Sequence, residues 1–296
     1  MTTAALADEF QSHRPRLFGL AYRLLGSADE AEDAVQDAWL RFSGTERAQI
    51  EKPGAWLAKV VTNLCLTRLT SARVRRESYV GTWLPEPVAT FDGALGPLES
   101  AEQRDAVSLA VLVLLERLTP TERAVYVLRE AFGYGHRDIA GALDLSEANC
   151  RQLYRRAVQR VAEDRHRFDP EPDRQRELVS SFLTASREGD LAGLEKVLAA
   201  DVTWYSDGGG KVRAALRPIE GRDKVVRFLV GVTERHLADV RYSVAEVNGA
   251  TALLAWAGEQ LVAMTSFALR DGLIAEARTI LNPDKLDFLQ RQLTGR

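Results

Sequence analysis

The sequence predicts a multidomain protein in which two all-α blocks precede an α+β domain. Apolar residues recur at helical spacing through residues 8–76 and again through residues 105–168. Residues 77–104 are rich in glycine and proline, which is typical of a linker. Residues 173–296 hold two helical stretches and then several strand-like runs joined by turns, and the chain has no internal repeat.

The composition is that of an ordinary globular protein with a local imbalance of charge. The 296 residues are 46% hydrophobic and carry a net charge of −3. Arginines cluster at 68–76 and 151–167, whereas carboxylates cluster at 29–37. Separate basic and acidic stretches are expected in a protein that contacts both DNA and a protein partner. The longest apolar run is too short for a bilayer and the first ten residues lack a signal-peptide pattern, so we expect a cytoplasmic protein.

The sequence gives no indication of a metal or cofactor. The two cysteines, Cys65 and Cys150, are too few for a disulfide framework or a CxxC metal site. The glycine run at 208–210 lacks the spacing of a phosphate-binding P-loop. We therefore expect neither a cofactor nor a metal ion.

A capping-box pattern at Ser27–Glu30 opens the first strongly amphipathic helix. The apolar residues of Ala31–Phe42 form one stripe at helical period, and the acids Asp33 and Asp37 share the opposite face. Such a face is either simply solvated or an acidic docking surface for a basic groove on another protein.

A second helix is predicted at residues 55–76, after a loop at 43–53. It carries Trp56, Asn63 and Arg68 before a basic run. An aromatic ring, an amide and arginines on one helix suit base stacking, base-edge hydrogen bonds and phosphate contacts. Trp56 could equally be a core residue, so this pattern alone leaves both interpretations open.

The strongest local signal is a helix-turn-helix within Leu118–Asp164. Thr119 is a good N-cap, and Pro120 suits the first helical position. A short helix follows at 136–143, and Ser146 caps a third helix at 147–164. One face of that third helix is apolar, and the other carries amide and arginine side chains that suit base edges and phosphates in the major groove. A helical hairpin with a basic solvated face is the alternative.

The last block predicts a curved antiparallel sheet packed on helices. Strands are expected at 202–206, 241–247, 251–257, 262–269 and 274–280, with helices at 176–187 and 223–233. Asn248-Gly249 and Asp271-Gly272 are hairpin signals. His236 stands near several carboxylates in the sequence, but no spacing fixes an acid–base pair.

The two helical blocks, taken in order, resemble a bacterial sigma factor of the extracytoplasmic-function (ECF) type, which keeps sigma regions 2 and 4. The segments that carry this resemblance are Leu17–Ser27, Asp29–Arg41, Pro53–Arg68 and Leu118–Arg160. Three further motifs are similar to the ECF group with a fused SnoaL-like domain: Trp83–Pro87, Asp207–Lys211 and Asn282–Leu286.

The resemblance implies region 2 at 8–76, a linker at 77–104, the region 4 helix-turn-helix at 105–168, and at 173–296 a cone-shaped α+β barrel of the SnoaL/NTF2 type. It implies a non-enzymatic factor that directs RNA polymerase to a −35/−10 promoter and helps to melt the DNA. The SnoaL-like domain would regulate this activity in cis.

The same resemblance gives roles to matching positions. Docking on the clamp helices of the polymerase β′ subunit falls to Asp33, Gln36 and Asp37, and the region around Phe132 would meet the β flap. Contact with the −10 element falls to Trp56, Lys59, Asn63, Arg68 and Arg73, while the 43–53 loop would capture a flipped base. Contact with the −35 element falls to Glu147, Asn149, Arg151, Gln152, Arg155 and Arg156. Contact between the SnoaL-like domain and region 2 or the linker would be made by Trp83, Pro85, Asp207, Gly208, Gly209, Gly210, Lys211, Asn282, Pro283, Asp284 and Lys285. The alternative is that the segments at 207–211 and 282–286 are ordinary turns, kept for their backbone geometry.

Two other functions remain open at this point. An ordinary DNA-binding regulator with a ligand-sensing domain would bind duplex DNA without polymerase and would not need the acidic helix. A cyclase or isomerase carrying DNA-binding modules would need a polar cavity with paired acid and base residues.

Overall fold

The computed structural model describes residues 3–90, 95, 107–164, 172–236 and 240–295. They form two compact units. The first contains both helical blocks apart from Ser108–Ala110, and the second contains the α+β domain together with Ser78–Ala89 of the predicted linker and Ser108–Ala110. The side chains of Arg73 and His236, and most of the predicted linker after Thr90, lie outside the described residues.

Three helices form the first half of the first unit: α1 (Thr3–Leu25), α2 (Ala28–Gly44) and α3 (Pro53–Glu77), with a 3-10 turn at Arg47–Gln49. The hydroxyl of Ser27 accepts a hydrogen bond from the Glu30 amide at 3.2 Å, so α2 begins at the predicted cap. The facing sides bury Tyr22, Phe42 and Leu57 completely. Burying a large apolar side chain of this kind contributes about 1.5–3 kcal/mol.

Four helices form the second half: α4 (Leu109–Leu115), α5 (Pro120–Glu130), α6 (His136–Leu143) and α7 (Glu147–Asp164). Thr119 and Glu122 cap α5 reciprocally, each side chain bonding the backbone of the other. Asp144 ends α6 in the left-handed conformation, with φ of 52°. Aspartate tolerates this conformation better than most residues, which places the sharp turn of the helix-turn-helix where the sequence predicts it.

The two halves pack through a buried arginine on α5. The side chain of Arg123 is 2% exposed. Its Nε donates to the Arg23 carbonyl at 3.3 Å and its Nη1 lies 2.5 Å from the Glu116 carboxylate. Burial lowers the pKa of Arg123 to about 9, which leaves the guanidinium charged and paired at neutral pH. The buried guanidinium of Arg123 is therefore part of the contact between the two helical blocks.

The second unit is a mixed sheet with helices packed against it. Its elements are α8 (Pro172–Glu188), α9 (Leu191–Val197), β1 (Leu198–Asp207), β2 (Ile219–Glu220), α10 (Arg222–His236), β3 (Val240–Val247), β4 (Ala250–Ala257), β5 (Gln260–Arg270), β6 (Leu273–Ile280) and α11 (Pro283–Thr294). The strand order is β2-β1-β6-β5-β4-β3.

The expectation of an antiparallel sheet is wrong at one place, because β1 runs parallel to β6. The hairpin signals set the antiparallel pairings of β3 with β4 and of β5 with β6, and the turn residues Asn248 and Asp271 adopt the predicted positive φ. No short turn connects β1 to β6, so no local rule sets their relative direction.

The two faces of the sheet carry different cores. Trp204 of β1 packs with Phe182 of α8 and Phe267 of β5, with ring centroids 5.9 and 6.5 Å from that of Trp204. Asp207 is an odd number of residues further along β1 and therefore points to the opposite face. On that opposite face it meets α11 and residues 78–89, and the functional geometry described below lies there.

Candidate nucleic-acid interface and linker site

Helix α7 presents one continuous polar face. Cys150, Ala157 and Val161 are buried on its inner side. The predicted −35 residues Asn149, Arg151, Gln152, Arg155 and Arg156 are exposed, and Glu147 is half-buried. Glu147 accepts a hydrogen bond from Arg151 at 2.5 Å, one helical turn away. The face can therefore offer amide and guanidinium donors to base edges and phosphates.

The predicted −10 residues on α3 are only partly available. Trp56 is half-buried, with its ring 6.1 Å from that of Phe42, so it is part of an aromatic cluster as well as a candidate for base stacking. Lys59 donates to the Gly141 carbonyl at 3.0 Å and lies 3.4 Å from the Asp144 carboxylate, both at the turn of the helix-turn-helix. Asn63 is half-buried, and the side chain of Arg73 lies outside the described residues.

The predicted docking acids lie along one side of α2. Asp33 and Gln36 are exposed and Asp37 is half-buried. Leu40 continues this side of the helix and is 62% exposed, which is unusual for a leucine in a packed helix. Sequence reasoning missed Leu40, although its i+4 spacing from Gln36 was a usable signal. Arg68 of α3 lies against the same acids, at 2.6 Å from Asp37 and 3.5 Å from Asp33.

Phe132, in the region predicted to meet the β flap, is covered by arginines of α1. The guanidinium carbons of Arg16 and Arg23 lie 5.6 and 5.4 Å from the centre of the ring. Arginines over an aromatic ring at this distance form cation–π contacts. Groups predicted for polymerase and DNA thus make contacts within the first unit.

A second site forms where the linker crosses the α+β domain. It is centred on Asp207, whose side chain is fully buried. One carboxylate oxygen accepts hydrogen bonds from the Tyr79 hydroxyl at 2.6 Å and the Gly209 amide at 3.1 Å. The other accepts from the backbone amide of Leu84 at 2.8 Å and lies 2.7 Å from Nζ of Lys285. The carboxylate therefore binds the linker at both a side chain and a backbone group.

Lys285 completes this linker site from the start of α11. Its ammonium also donates to the Leu84 carbonyl at 2.5 Å. It lies 4.6 Å from the ring centre of Tyr79 and 4.4 Å from that of Trp83, so two aromatic rings enclose it. The Tyr79 hydroxyl accepts a further bond from the Asn282 amide at 2.9 Å. Burial and the bond to Asp207 raise the pKa of Tyr79 above its usual range, so the phenol remains a donor at neutral pH.

The glycine-rich loop fits this site closely. Gly209 has φ of +59°, and a Cβ there would strike the Asn282 amide and lie 2.9 Å from the Tyr79 hydroxyl. A Cβ at Gly208 would strike the Val212 carbonyl, and one at Gly210 would lie 3.3 Å from Val80. Lys211 forms an exposed ion pair with Asp284 at 2.5 Å. The glycines allow the close approach of the linker that a side chain would prevent.

The three motif segments therefore meet in one place. Trp83, Asp207, Gly209, Asn282 and Lys285 contact it directly, while Pro85 is buried in the linker and Pro283 occupies the first turn of α11 behind the Asn282 cap. Tyr79 and the backbone of Leu84 were missed by sequence reasoning, because their partner Asp207 is more than 120 residues away.

The linker continues from this site to the edge of the sheet. The Asn248 side chain accepts from the Val88 amide at 3.1 Å, and the Asn248 amide donates to the Val88 carbonyl at 2.9 Å. Ala89 pairs with Val247 in an isolated antiparallel bridge and donates to Gln292 at 2.9 Å. Residues 79–89 are thus fixed at two ends on the α+β domain.

The rest of the domain offers little acid–base chemistry among the described residues. Apolar side chains, including Phe182, Trp204 and Phe267, fill the space between the sheet and α8–α10. A groove of about 620 Å³ lies beside β3, β4 and α11, and its ionisable lining residues are Arg241, Glu259 and Arg291. Within the described parts of the chain, no helix is long and apolar enough to cross a membrane.

Two helical modules with exposed amide and arginine side chains, and a linker bound on an α+β domain, define a multidomain DNA-binding protein. The chain matches sigma-70 region 2 over residues 10–75, sigma-70 region 4 over residues 108–161 and the SnoaL-like domain over residues 179–277. The protein belongs to the ECF RNA polymerase sigma factors that carry a SnoaL-like domain.

Whole-length relatives support this family. The ECF sigma factor SigJ of Mycobacterium tuberculosis is 38% identical, covering 98% of this chain and 97% of SigJ. The probable ECF sigma factor SigI of the same species is 32% identical, covering 97% and 96%. The crystal structure of SigJ matches with a TM-score of 0.77 and 35% identity over 95% of this chain and 98% of that one. These findings confirm the predicted family and fold class and a role in transcription initiation with RNA polymerase and promoter DNA.

Proposed function

We propose that the SnoaL-like domain regulates this sigma factor in cis by holding the linker between regions 2 and 4. Once the packing between regions 2 and 4 opens on polymerase, a free linker would let the two DNA-reading modules take many separations. A linker fixed along residues 79–89 restricts those separations. Ordering its backbone costs about 1–2 kcal/mol per residue, and this cost is already met before polymerase and promoter bind. The domain would thereby bias which promoters are recognised.

The observation that carries the proposal is the bond between the buried Asp207 carboxylate and the Leu84 backbone amide. A fully buried carboxylate is costly unless it is paired, and here its partners come from three separate segments of the chain. If the 207–211 segment were only an ordinary turn, it would not need a buried ion pair in contact with the linker.

We further propose the finer contacts of initiation. The side of α2 with Asp33, Gln36 and Asp37 would dock on the β′ clamp helices, and the region around Phe132 would meet the β flap. The α3 residues Trp56, Lys59, Asn63, Arg68 and Arg73 would contact the −10 element. The α7 residues Glu147, Asn149, Arg151, Gln152, Arg155 and Arg156 would contact the −35 element. No reaction is assigned to the α+β domain, because its described core is apolar.

Reconstituted transcription tests the cis role. Core polymerase with the full chain is compared for wild type, Asp207→Ala and Asp284→Ala on one promoter selected from a random library. The proposal expects transcript yield to change severalfold in Asp207→Ala, and less in Asp284→Ala, whose ion pair is exposed. Wild-type yield in both variants, at equal polymerase occupancy, would contradict it. Binding of the same chains to the −35 duplex should remain at wild type, which separates regulation from misfolding of region 4.

A further inference from the structure

Arg68 occupies an unexpected position between two predicted surfaces. It is a −10 candidate on α3, yet its Nη2 lies 2.6 Å from Asp37 and its Nη1 lies 3.5 Å from Asp33, both docking candidates on α2. Burial lowers the pKa of Arg68, and the bonds to Asp37 and Asp33 more than reverse this, so the guanidinium is fully charged.

The two partners compete for the same donors. A guanidinium binds a phosphate best through two parallel N–H groups, and here both terminal nitrogens already face carboxylates. While Asp37 and Asp33 hold Nη2 and Nη1, Arg68 cannot offer these two terminal groups together to a phosphate.

The ion pairs of Arg68 with Asp37 and Asp33 are exposed enough for Arg68 to exchange one partner for another. The side chain of Arg68 is 26% exposed, that of Asp37 is 45% exposed and that of Asp33 is 68% exposed. Ion pairs this accessible to water are weak, so a basic partner that binds the acids can displace the arginine.

We propose that Arg68 changes partners during initiation, from Asp37 and Asp33 in the free protein to a DNA phosphate once polymerase has taken the two acids. This inference rests on the docking and −10 roles proposed above. Full contact with the −10 strand would then require polymerase docking. The carboxylates that bind polymerase are the same ones that pair with Arg68 in the free protein.

The chain provides a matched control on the same helix. Glu32 of α2 pairs with Arg14 of α1, and the two side chains are 34% and 41% exposed. Glu32→Gln removes one negative charge and the nearest acidic partner of one arginine, as Asp37→Asn does, but at a site without a predicted DNA contact.

The test measures binding of the free full-length chain to a fluorescent single-stranded DNA of about 20 nucleotides of mixed sequence, over a series of salt concentrations. Asp37→Asn should bind about two- to fivefold more tightly than Glu32→Gln, the range that an exposed ion pair allows. Its salt slope should steepen by about 0.7, the value for one added phosphate contact on a single strand. The double variant Asp37→Asn/Arg68→Ala should lose both effects.

A second measurement tests the dependence on polymerase. Arg68→Ala should lower the yield of open promoter complex with core polymerase by about two- to fivefold, and should lower binding of the free chain in the same assay by less. Equal binding by Asp37→Asn and Glu32→Gln, or an equal loss from Arg68→Ala in both states, would overturn the proposal. Neither measurement involves the linker site. A negative result for Arg68 would therefore leave the test of cis regulation unaffected.

Discussion

The ammonium nitrogen of Lys285 lies 2.7 Å from a carboxylate oxygen of Asp207, and the two side chains are only 7% and 0% exposed. Between them they bind both the N–H and the C=O of Leu84. The backbone of Leu84 is therefore held at both its N–H and its C=O by a buried ion pair, and the retention of the linker depends on both charges.

Replacing one charge should release the linker. Lys285→Met leaves Asp207 buried and unpaired, and breaking a buried pair in this way costs about 3–5 kcal/mol. Hydrogen exchange of the Leu84 amide should accelerate roughly a hundredfold or more, since each tenfold step corresponds to about 1.4 kcal/mol. Lys211→Met is the control, because its ion pair with Asp284 is exposed and contributes about 0–1 kcal/mol.

A compensating variant guards against simple unfolding. Asp207→Asn/Lys285→Met removes both charges and should exchange more slowly at Leu84 than Lys285→Met alone. If Lys285→Met and Lys211→Met protect the Leu84 amide equally, the ion pair does not hold the linker.

The glycine loop allows a second test with a matched control. Gly209 and Gly258 have nearly the same left-handed φ, +59° and +60°, but a Cβ at Gly258 would meet nothing within 4 Å. Alanine at either position carries about 1–2 kcal/mol of backbone strain. Only Gly209→Ala adds a clash with Asn282 and Tyr79, so only it should make residues 79–89 sensitive to limited proteolysis. Equal cleavage of the two variants would show that the loop does not position the linker.

The hydroxyl of Tyr79 should make a measurable contribution that depends on pH. Tyr79→Phe removes a bond to a charged group, which costs about 1.5–3 kcal/mol. Because the pKa of Tyr79 is raised in the folded protein, this contribution is full below the ordinary tyrosine pKa of about 10 and falls as pH rises beyond it.

The pH dependence is read as the difference in Leu84 exchange between wild type and Tyr79→Phe. It should be constant from about pH 7 to 9 and shrink above about 10. A difference that grows above pH 10 would have the wrong sign for a protonated Tyr79 donor.

Arg155 on the exposed face of α7 should read a base. Arg155→Ala is expected to cost about 1–3 kcal/mol in binding to the −35 element and to relax preference at one position. Binding to a library of −35 duplexes measures both effects. A uniform loss across all sequences would make Arg155 a phosphate contact instead.

The sequence predicts best what is decided over a few residues. The Thr119–Glu122 box, the turn that follows the helix at 136–143 and the Asn248-Gly249 hairpin form as expected, because each depends on neighbours within a single turn. The family motifs also indicated which segments would meet the linker, but they could not supply the atoms that do so.

The remaining geometry depends on distant partners. No short turn joins β1 to β6, so the local sequence does not predict that they pair in parallel. The bond from Tyr79 to Asp207 spans 128 residues, and that from Arg68 to Asp37 spans 31 and joins residues that the motifs assign to different surfaces. These contacts are fixed by the packing of separate elements. The helical or strand periodicity of the sequence does not predict how those elements pack.

Promoter activity as a function of −35 to −10 spacing tests the regulatory account most directly. Transcript yield would be measured with core polymerase on one promoter whose spacer is varied base by base, for wild type, Gly209→Ala and Gly258→Ala. If the α+β domain restricts the linker, wild type and Gly258→Ala will share a narrow optimum, and Gly209→Ala will show a broader or shifted one. The same spacing profile for all three proteins would contradict the account.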